Sequence, residues 1–237
     1  DVILAREPRH LTALEALAQS PDGRMVLLGI PGSGKSTFVR YLALCMAQAL
    51  LDPAMDLGKA LPGWTGQSLL PVIIPLGRLA ESLPREARQG KAAMVEDYLR
   101  AVFDADEKLR GFADRLLGEL EERGGLVLFD GLDEVADLEL RPVVRQAVES
   151  FAGHHGRKGS TYFLVTCRTY SYTDPQWQLA GWSTHELAPL SREKIDQFID
   201  AWYNELCCVD PSRSGDYANK REKPVSYTHL RAHETPE

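Results

Sequence analysis

The run Gly29-Ile30-Pro31-Gly32-Ser33-Gly34-Lys35-Ser36-Thr37 constrains this chain more than any other feature. It fits the pattern G-x-x-x-x-G-K-[ST], and its surroundings fit as well. Arg24 to Leu28, with Met25-Val26-Leu27-Leu28, reads as a short buried strand of the kind parallel sheets use. Ser36 to Leu51 has helical spacing, with Phe38, Val39, Leu42, Ala43 and Met46 on one face. Strand, glycine-rich loop and helix in that order make an anion cradle. Gly32 and Gly34 let the backbone wrap around phosphate oxygens with its amides inward. The helix from Lys35 offers free N–H groups and the positive end of its dipole to the same anion. Lys35 is expected to reach the β- and γ-phosphates, and the Ser36 hydroxyl to ligate Mg2+. Gly29 to Thr37 is therefore read as the loop that binds a nucleoside triphosphate with magnesium.

The remaining chain alternates strands with helices. Leu11, Leu14, Leu17 and Ala18 mark a lead-in helix, with Pro8 near its start, and Ser20 to Gly23 is a turn. Residues 52–67 carry Pro and Gly without a period and read as loop. Leu69 to Leu76 is a second strand, followed by helices near Met94 to Phe103 and Leu109 to Glu122. Gly125 to Phe129, Tyr162 to Thr166 and Thr184 to Leu187 are further strands. Leu138 to Phe151 is a helix, and Ser191 to Leu206 an amphipathic one capped by Ser191. Strands separated by helices imply a parallel sheet covered on both faces. The expected fold is α/β: a P-loop NTPase three-layer αβα sandwich with a mainly parallel five-stranded sheet, followed by the start of a helical domain. Residues 1–20 are the lead-in, 21–190 the core, and 191–224 the start of a truncated helical lid or linker.

Ligands of a parallel sheet bind at the carboxyl ends of its strands. The apolar run Leu126-Val127-Leu128-Phe129 ends in Asp130, which is thereby placed to hold Mg2+ opposite Ser36. Gly131 permits a tight turn, and Leu132-Asp133-Glu134 brings two more carboxylates to the same edge. Either could orient the attacking water, and capping of the following segment is the plainer role for both. Tyr162 to Thr166 is another buried strand, and Cys167-Arg168 follow at its carboxyl end, where a polar residue and a cation would face the γ-phosphate. There Arg168 would stabilise transition-state charge or report loss of phosphate; otherwise it is a solvated arginine at a strand end.

Other features narrow the class. The net charge of −7 over 237 residues gives no electrostatic case for nucleic acid or an anionic membrane as the main partner. The longest apolar stretches, Met25 to Ile30 and Leu69 to Leu76, fall far short of the roughly 20 residues a membrane helix needs. Cys45, Cys167, Cys207 and Cys208 form no CxxC pair, and no Cys/His spacing resembles a zinc site, so a reducing, cytoplasmic location fits best. Cys45 and Cys167 lie in apolar runs and are expected to be buried. Tyr170, Tyr172, Trp177 and Trp182 either stack on a base or partner or, the plainer reading, pack a long loop onto the domain. His154 and His155 read as lying in a Gly-rich turn, and nothing in the sequence marks them as ligands.

The segment Val225 to Thr235 resembles the translation of a transposase-type sequencing adapter. Residues 225–237 are accordingly expected to be a non-native tail, and the i, i+4 pair His229 and His233 is not taken as a metal site.

Taken together, Gly-Ile-Pro-Gly-Ser-Gly-Lys-Ser-Thr at 29–37, Leu-Phe-Asp-Gly-Leu-Asp-Glu-Val at 128–135, Val-Thr-Cys-Arg at 165–168 and Leu-Ala-Pro-Leu at 187–190 resemble the NACHT family, of the STAND class of signalling NTPases. The Gly-Leu spacer between Asp130 and the second acid is the most specific part. The likeness spans about Leu11 to Leu206. It implies binding of ATP, sometimes GTP, with Mg2+, rest in a diphosphate state, and self-oligomerisation in the triphosphate state that activates an attached effector. By position it makes Lys35 and Ser36 the phosphate and Mg2+ ligands, Asp130 the Walker B acid, Asp133 and Glu134 its acidic extension, and Arg168 a sensor. Sensor and effector domains, and the proline of a helical lid, are expected in flanks beyond this sequence. The competing readings are a stand-alone AAA+-like enzyme with continuous turnover and a nucleotide-binding scaffold without hydrolysis. No LSGGQ-like signature separates Lys35 from Asp130, which argues against an ABC transporter. The length of that stretch, with a strand inside it, argues against a small-molecule kinase.

Overall fold

The computed structural model describes residues 11–156, 161–189, 192–197 and 200–201. Pro8, the Ser191 cap, Cys207, Cys208 and the segment from Val225 lie outside the described residues. Five strands form one all-parallel sheet: β1 (Arg24–Gly29), β2 (Pro71–Pro75), β3 (Leu126–Asp130), β4 (Tyr162–Arg168) and β5 (Ser183–Glu186), in the spatial order β2-β3-β4-β1-β5. Seven helices accompany them among the described residues of this unit: α1 (Ala13–Ala18), α2 (Lys35–Leu51), α3 (Leu57–Ala60), α4 (Leu76–Ser82), α5 (Ala92–Asp104), α6 (Phe112–Glu122) and α7 (Arg141–His155). The sheet unit runs to Ala188. A second unit starts at Pro189, and within it residues 192–197 and 200–201 are helical. No described helix is long and apolar enough to cross a membrane.

Successive strand residues point to opposite faces, and the apolar strands therefore feed two cores. Met25, Leu27, Leu126, Leu128 and Leu164 pack on one face with Leu17 of α1 and Val39, Leu42 and Met46 of α2. Val26, Val127, Phe129, Phe163 and Val165 pack on the other with α4, α5, α6 and α7. The three layers are thus helix, sheet, helix. Each fully buried aliphatic side chain in these layers contributes roughly 1.5–3 kcal/mol.

Several boundaries differ from the sequence reading. The second strand ends at Pro75, and Leu76 opens α4, a helix absent from the expectations. Leu76 is the last residue of an apolar run, so periodicity assigned it to the strand, but its side chain is fully buried as the first residue of a helix. The stretch 52–67 contains α3, capped by the Asp56 side chain accepting from Lys59 N–H. α6 begins at Phe112 rather than Leu109, after Gly111 in the left-handed region. α7 extends to His155, so His154 and His155 sit in its last turn and not in a glycine-rich turn. Cys45 and Cys167 are both buried and free. The loop aromatics divide. Tyr172, Trp177 and Trp182 are buried and pack the loop after β4, with Arg141 stacked over Trp177 at 4.7 Å and Tyr172 Oη accepting from Leu179 N–H. Tyr170 alone of the four is exposed.

Candidate functional site

The strand order places the site. β4 lies between β1, which feeds the phosphate loop, and β3, which ends in Asp130. The carboxyl ends of these three strands therefore meet at one edge, where the chain's crossovers diverge to either side of β1. A cleft of about 280 Å³ opens there. Residues 31–37 form one wall, and Asp130, Gly131, Asp133, Glu134, Thr166 and Arg168 form the other. Gly29 and Ile30 belong to the loop but do not line the cleft, and the Ile30 side chain faces solvent.

The loop wall is held by its own lysine. Lys35 Nζ donates to the carbonyls of Gly29 at 2.7 Å and Ile30 at 3.0 Å, and to Ser33 Oγ at 3.3 Å. Gly34 caps α2 at φ 92°, a left-handed conformation that costs a side-chain-bearing residue about 1–2 kcal/mol. A Cβ at that position would touch nothing, so the demand for glycine there is one of backbone shape and not of space. The first amides of α2 consequently face the cleft, at the positive end of a helix of 17 residues.

The opposite wall is a chain of hydrogen bonds. Thr166, with 1 % exposure, donates its hydroxyl to Asp130 Oδ1 at 2.6 Å and accepts from Gly131 N–H at 2.8 Å. Ser36 Oγ donates to the same Asp130 oxygen at 3.2 Å, which ties the two walls together. A hydroxyl and a carboxylate so close are hard oxygen donors. They fit Mg2+, an ion that takes one or two protein oxygens and completes its shell with water and phosphate. Gly131 turns the chain at φ 78°, and the Glu134 carboxylate folds back over it: a Cβ at residue 131 would lie 2.6 Å from Glu134 Cδ.

The two acids after Asp130 are unlike each other. Asp133 is committed to Arg168: its Oδ1 accepts from Arg168 N–H at 3.0 Å, and its Oδ2 pairs with Arg168 Nε at 2.8 Å. Arg168 also donates to Tyr170 Oη at 2.9 Å. The Glu134 carboxylate makes no hydrogen bond or ion pair among the described residues, while its backbone N–H donates to the Gly131 carbonyl at 3.0 Å. Partial desolvation of its carboxyl in the cleft, then the charges of Asp130 and Asp133, push its pKa above the ordinary value, while Arg168 pulls the other way. Asp133 thus acts by position on Arg168, and Glu134 is the carboxylate left to meet a water in the cleft. The sequence marks Thr166 as a polar strand end facing the γ-phosphate. Its role as the bond between Asp130 and Gly131 has no local signature, because its partners lie 35 and 36 residues away. Behind this wall Cys167 is inert. Burial, with Asp133 nearby, pushes its thiol up to about 12.

Fold and cleft together define a P-loop-type α/β fold, with the cleft at the carboxyl ends of β1, β3 and β4. Comparison by sequence adds no relative: no protein-family model matches the chain, and no curated protein matches it closely enough to count as one. Among solved structures, the chain is similar to PCH-2 of C. elegans at 15 % identity and a TM-score of 0.41, over 78 % of this chain and 40 % of that one. The chain therefore spans less than half the length of PCH-2.

Proposed function

We propose that this chain is the nucleotide-binding core of a NACHT-like signalling switch of the STAND class. It binds ATP or GTP with Mg2+, hydrolyses it slowly, and assembles with copies of itself in the triphosphate state, with sensor and effector in flanking domains. One observation carries the reading: Arg168, at the end of the strand between the two Walker strands, is clamped by Asp133 on the cleft wall. An incoming γ-phosphate competes with Asp133 for that guanidinium. Triphosphate and diphosphate then stabilise two arrangements of the β4 end to different extents, which is what a switch requires.

The parts have distinct roles in this reading. Residues 31–37 cradle the phosphates, and Lys35 exchanges the Gly29 and Ile30 carbonyls for phosphate oxygens. Ser36 and Asp130 would hold Mg2+, which when bound neutralises charge on the β- and γ-oxygens. Glu134 orients the attacking water, and its raised pKa suits a group that takes a proton.

Steady-state turnover and light-scattering mass test the proposal together. The expected outcome is turnover well under one per second, and a larger mass with a non-hydrolysable triphosphate than with diphosphate. Sustained turnover above roughly 10 per second, with one mass throughout, would replace the switch by a stand-alone AAA+-like enzyme. Binding without any turnover, unchanged by Glu134→Gln, would leave only a scaffold.

A further inference from the structure

α7 ends in two adjacent histidines, and its last turn packs among α5 and α6 at the amino-end edge of the sheet, away from the phosphate cleft. Arg24, the first residue of β1, reaches the same turn by donating to the Ala152 carbonyl. His155 has a side chain only 1 % exposed, its ring against Phe151 at 4.3 Å between centroids. Its Nε2 lies 3.3 Å from Glu96 Oε1 of α5. Its Nδ1 is buried and has no hydrogen-bond partner among the described residues, and Glu121 Oε1 of α6 stands 4.0 Å away. His154, half exposed, turns its Nε2 to the same Glu121 oxygen at 3.5 Å. One ligand atom each from Glu96, His154 and His155 lies within 4.8 Å of the others.

We propose that Glu96, His154 and His155 form a binding site for a divalent transition-metal ion, zinc in the first instance, with Glu121 beside them as a fourth ligand. Zinc bonds of about 2.0–2.2 Å put tetrahedral ligands roughly 3.3 Å apart. The Glu96–His155 and Glu121–His154 distances already stand near that spacing. The remaining closure falls to His154 and Glu121, whose side chains are 47 % and 53 % exposed and free to turn inward. Two imidazoles with carboxylates are a zinc set, whereas Mg2+ and Ca2+ prefer oxygen alone. The buried ring of His155 needs a partner on each nitrogen, since an unpaired buried donor costs about 1–3 kcal/mol. With Nε2 on the metal beside Glu96, the orphaned Nδ1–H is left to the Glu121 carboxylate, which gives both ring nitrogens a partner in the manner of metal-bound histidines generally. The ion would staple α5, α6 and α7 at the end of the domain remote from the nucleotide, independently of what the phosphate cleft does.

The test uses the full chain, stripped with chelator and kept in excess Mg2+, titrated with Zn2+ and separately with Co2+. Expected are one equivalent bound at His154–His155, a visible Co2+ ligand-field band, and a melting temperature raised by a few degrees with Zn2+. His154→Ala, at a half-exposed position, and Glu96→Gln, which keeps the bulk and a hydrogen-bonding oxygen at a largely buried one, are each expected to weaken Zn2+ binding at least tenfold and to remove the thermal shift; for His154→Ala the metal-free melting temperature should change little. His229→Ala is expected to change nothing. Absence of both the Co2+ band and the thermal shift would overturn the site. So would Zn2+ affinity left unchanged by His154→Ala and Glu96→Gln, or lost with His229→Ala.

Discussion

On the β1 side of the cleft the chain is largely exposed and is braced by one lysine turned onto its own carbonyls. On the β3–β4 side it is largely buried and braced by hydrogen bonds among Asp130, Gly131 and Thr166. In the proposed function the first wall gives up its lysine bonds when a ligand arrives, while the second releases Arg168 from Asp133 but keeps the bonds among Asp130, Gly131 and Thr166. Binding affinity should therefore reside mainly in the loop, while the stability of the domain should reside mainly in the far wall. Only the Ser36–Asp130 bond joins the two directly among the described side chains lining the cleft.

Lys35→Ala should show the largest effect. Triphosphate binding, followed with a fluorescent nucleotide, is expected to weaken beyond roughly 100-fold, since two or more charge-assisted bonds are lost. The melting temperature should move little, and a collapse of the fold would break the contrast between the walls. Glu134→Gln comes next: turnover falls by roughly 100-fold or more while binding is retained, and an equal loss of binding would place Glu134 in the cradle instead.

Thr166→Val keeps shape and removes the hydroxyl. It leaves Gly131 N–H without its partner and is expected to cost about 2 kcal/mol in denaturant unfolding. Nucleotide affinity per folded molecule should change far less than in Lys35→Ala. The reverse pattern would mean that the far wall, not the loop, sets affinity.

A smaller effect comes from protons. The surroundings of the Glu134 carboxyl raise its pKa above its ordinary value of 4.5. Between that pH and its raised folded pKa, the native state holds more proton than the unfolded chain, so stability falls as pH rises and then levels off. Glu134→Gln removes this penalty. Its melting temperature should exceed the parent's at pH 7, and the gap should close below about pH 4. The smallest signal is a silence: with its thiol at about 12, Cys167 should resist alkylation at pH 8 in the native state and react once unfolded.

The loop and Asp130 are legible in sequence because their chemistry is consecutive: a strand, a run of glycines with a lysine, and a carboxylate at the end of an apolar strand. The parallel sheet follows from strands that read as continuous apolar runs. Less visible is anything that depends on which strands become neighbours. That Asp133 would spend itself on Arg168, leaving Glu134 free, follows from β4 lying beside β3, and no spacing encodes it. His154 and His155 read as turn residues because the apolar period of α7 stops at Phe151, and Glu96 lies 59 residues before His155. The short helices α3 and α4 escaped because neither is long enough to show a period.

The strand order also sets a timetable. β1 is made early, yet its partners are β4 and β5, and its register mates begin at Phe163. At roughly 5–20 residues per second, Met25-Val26-Leu27-Leu28 waits on the order of ten seconds at the ribosome before a neighbouring strand exists. β2 and β3 are complete before then and can pair first, so the half of the sheet bearing Asp130 can assemble ahead of the half bearing the phosphate loop. A chain released before Arg168 would expose a sticky, unpaired strand, and this protein's yield in cells should depend on holdase chaperones that cover it through that interval.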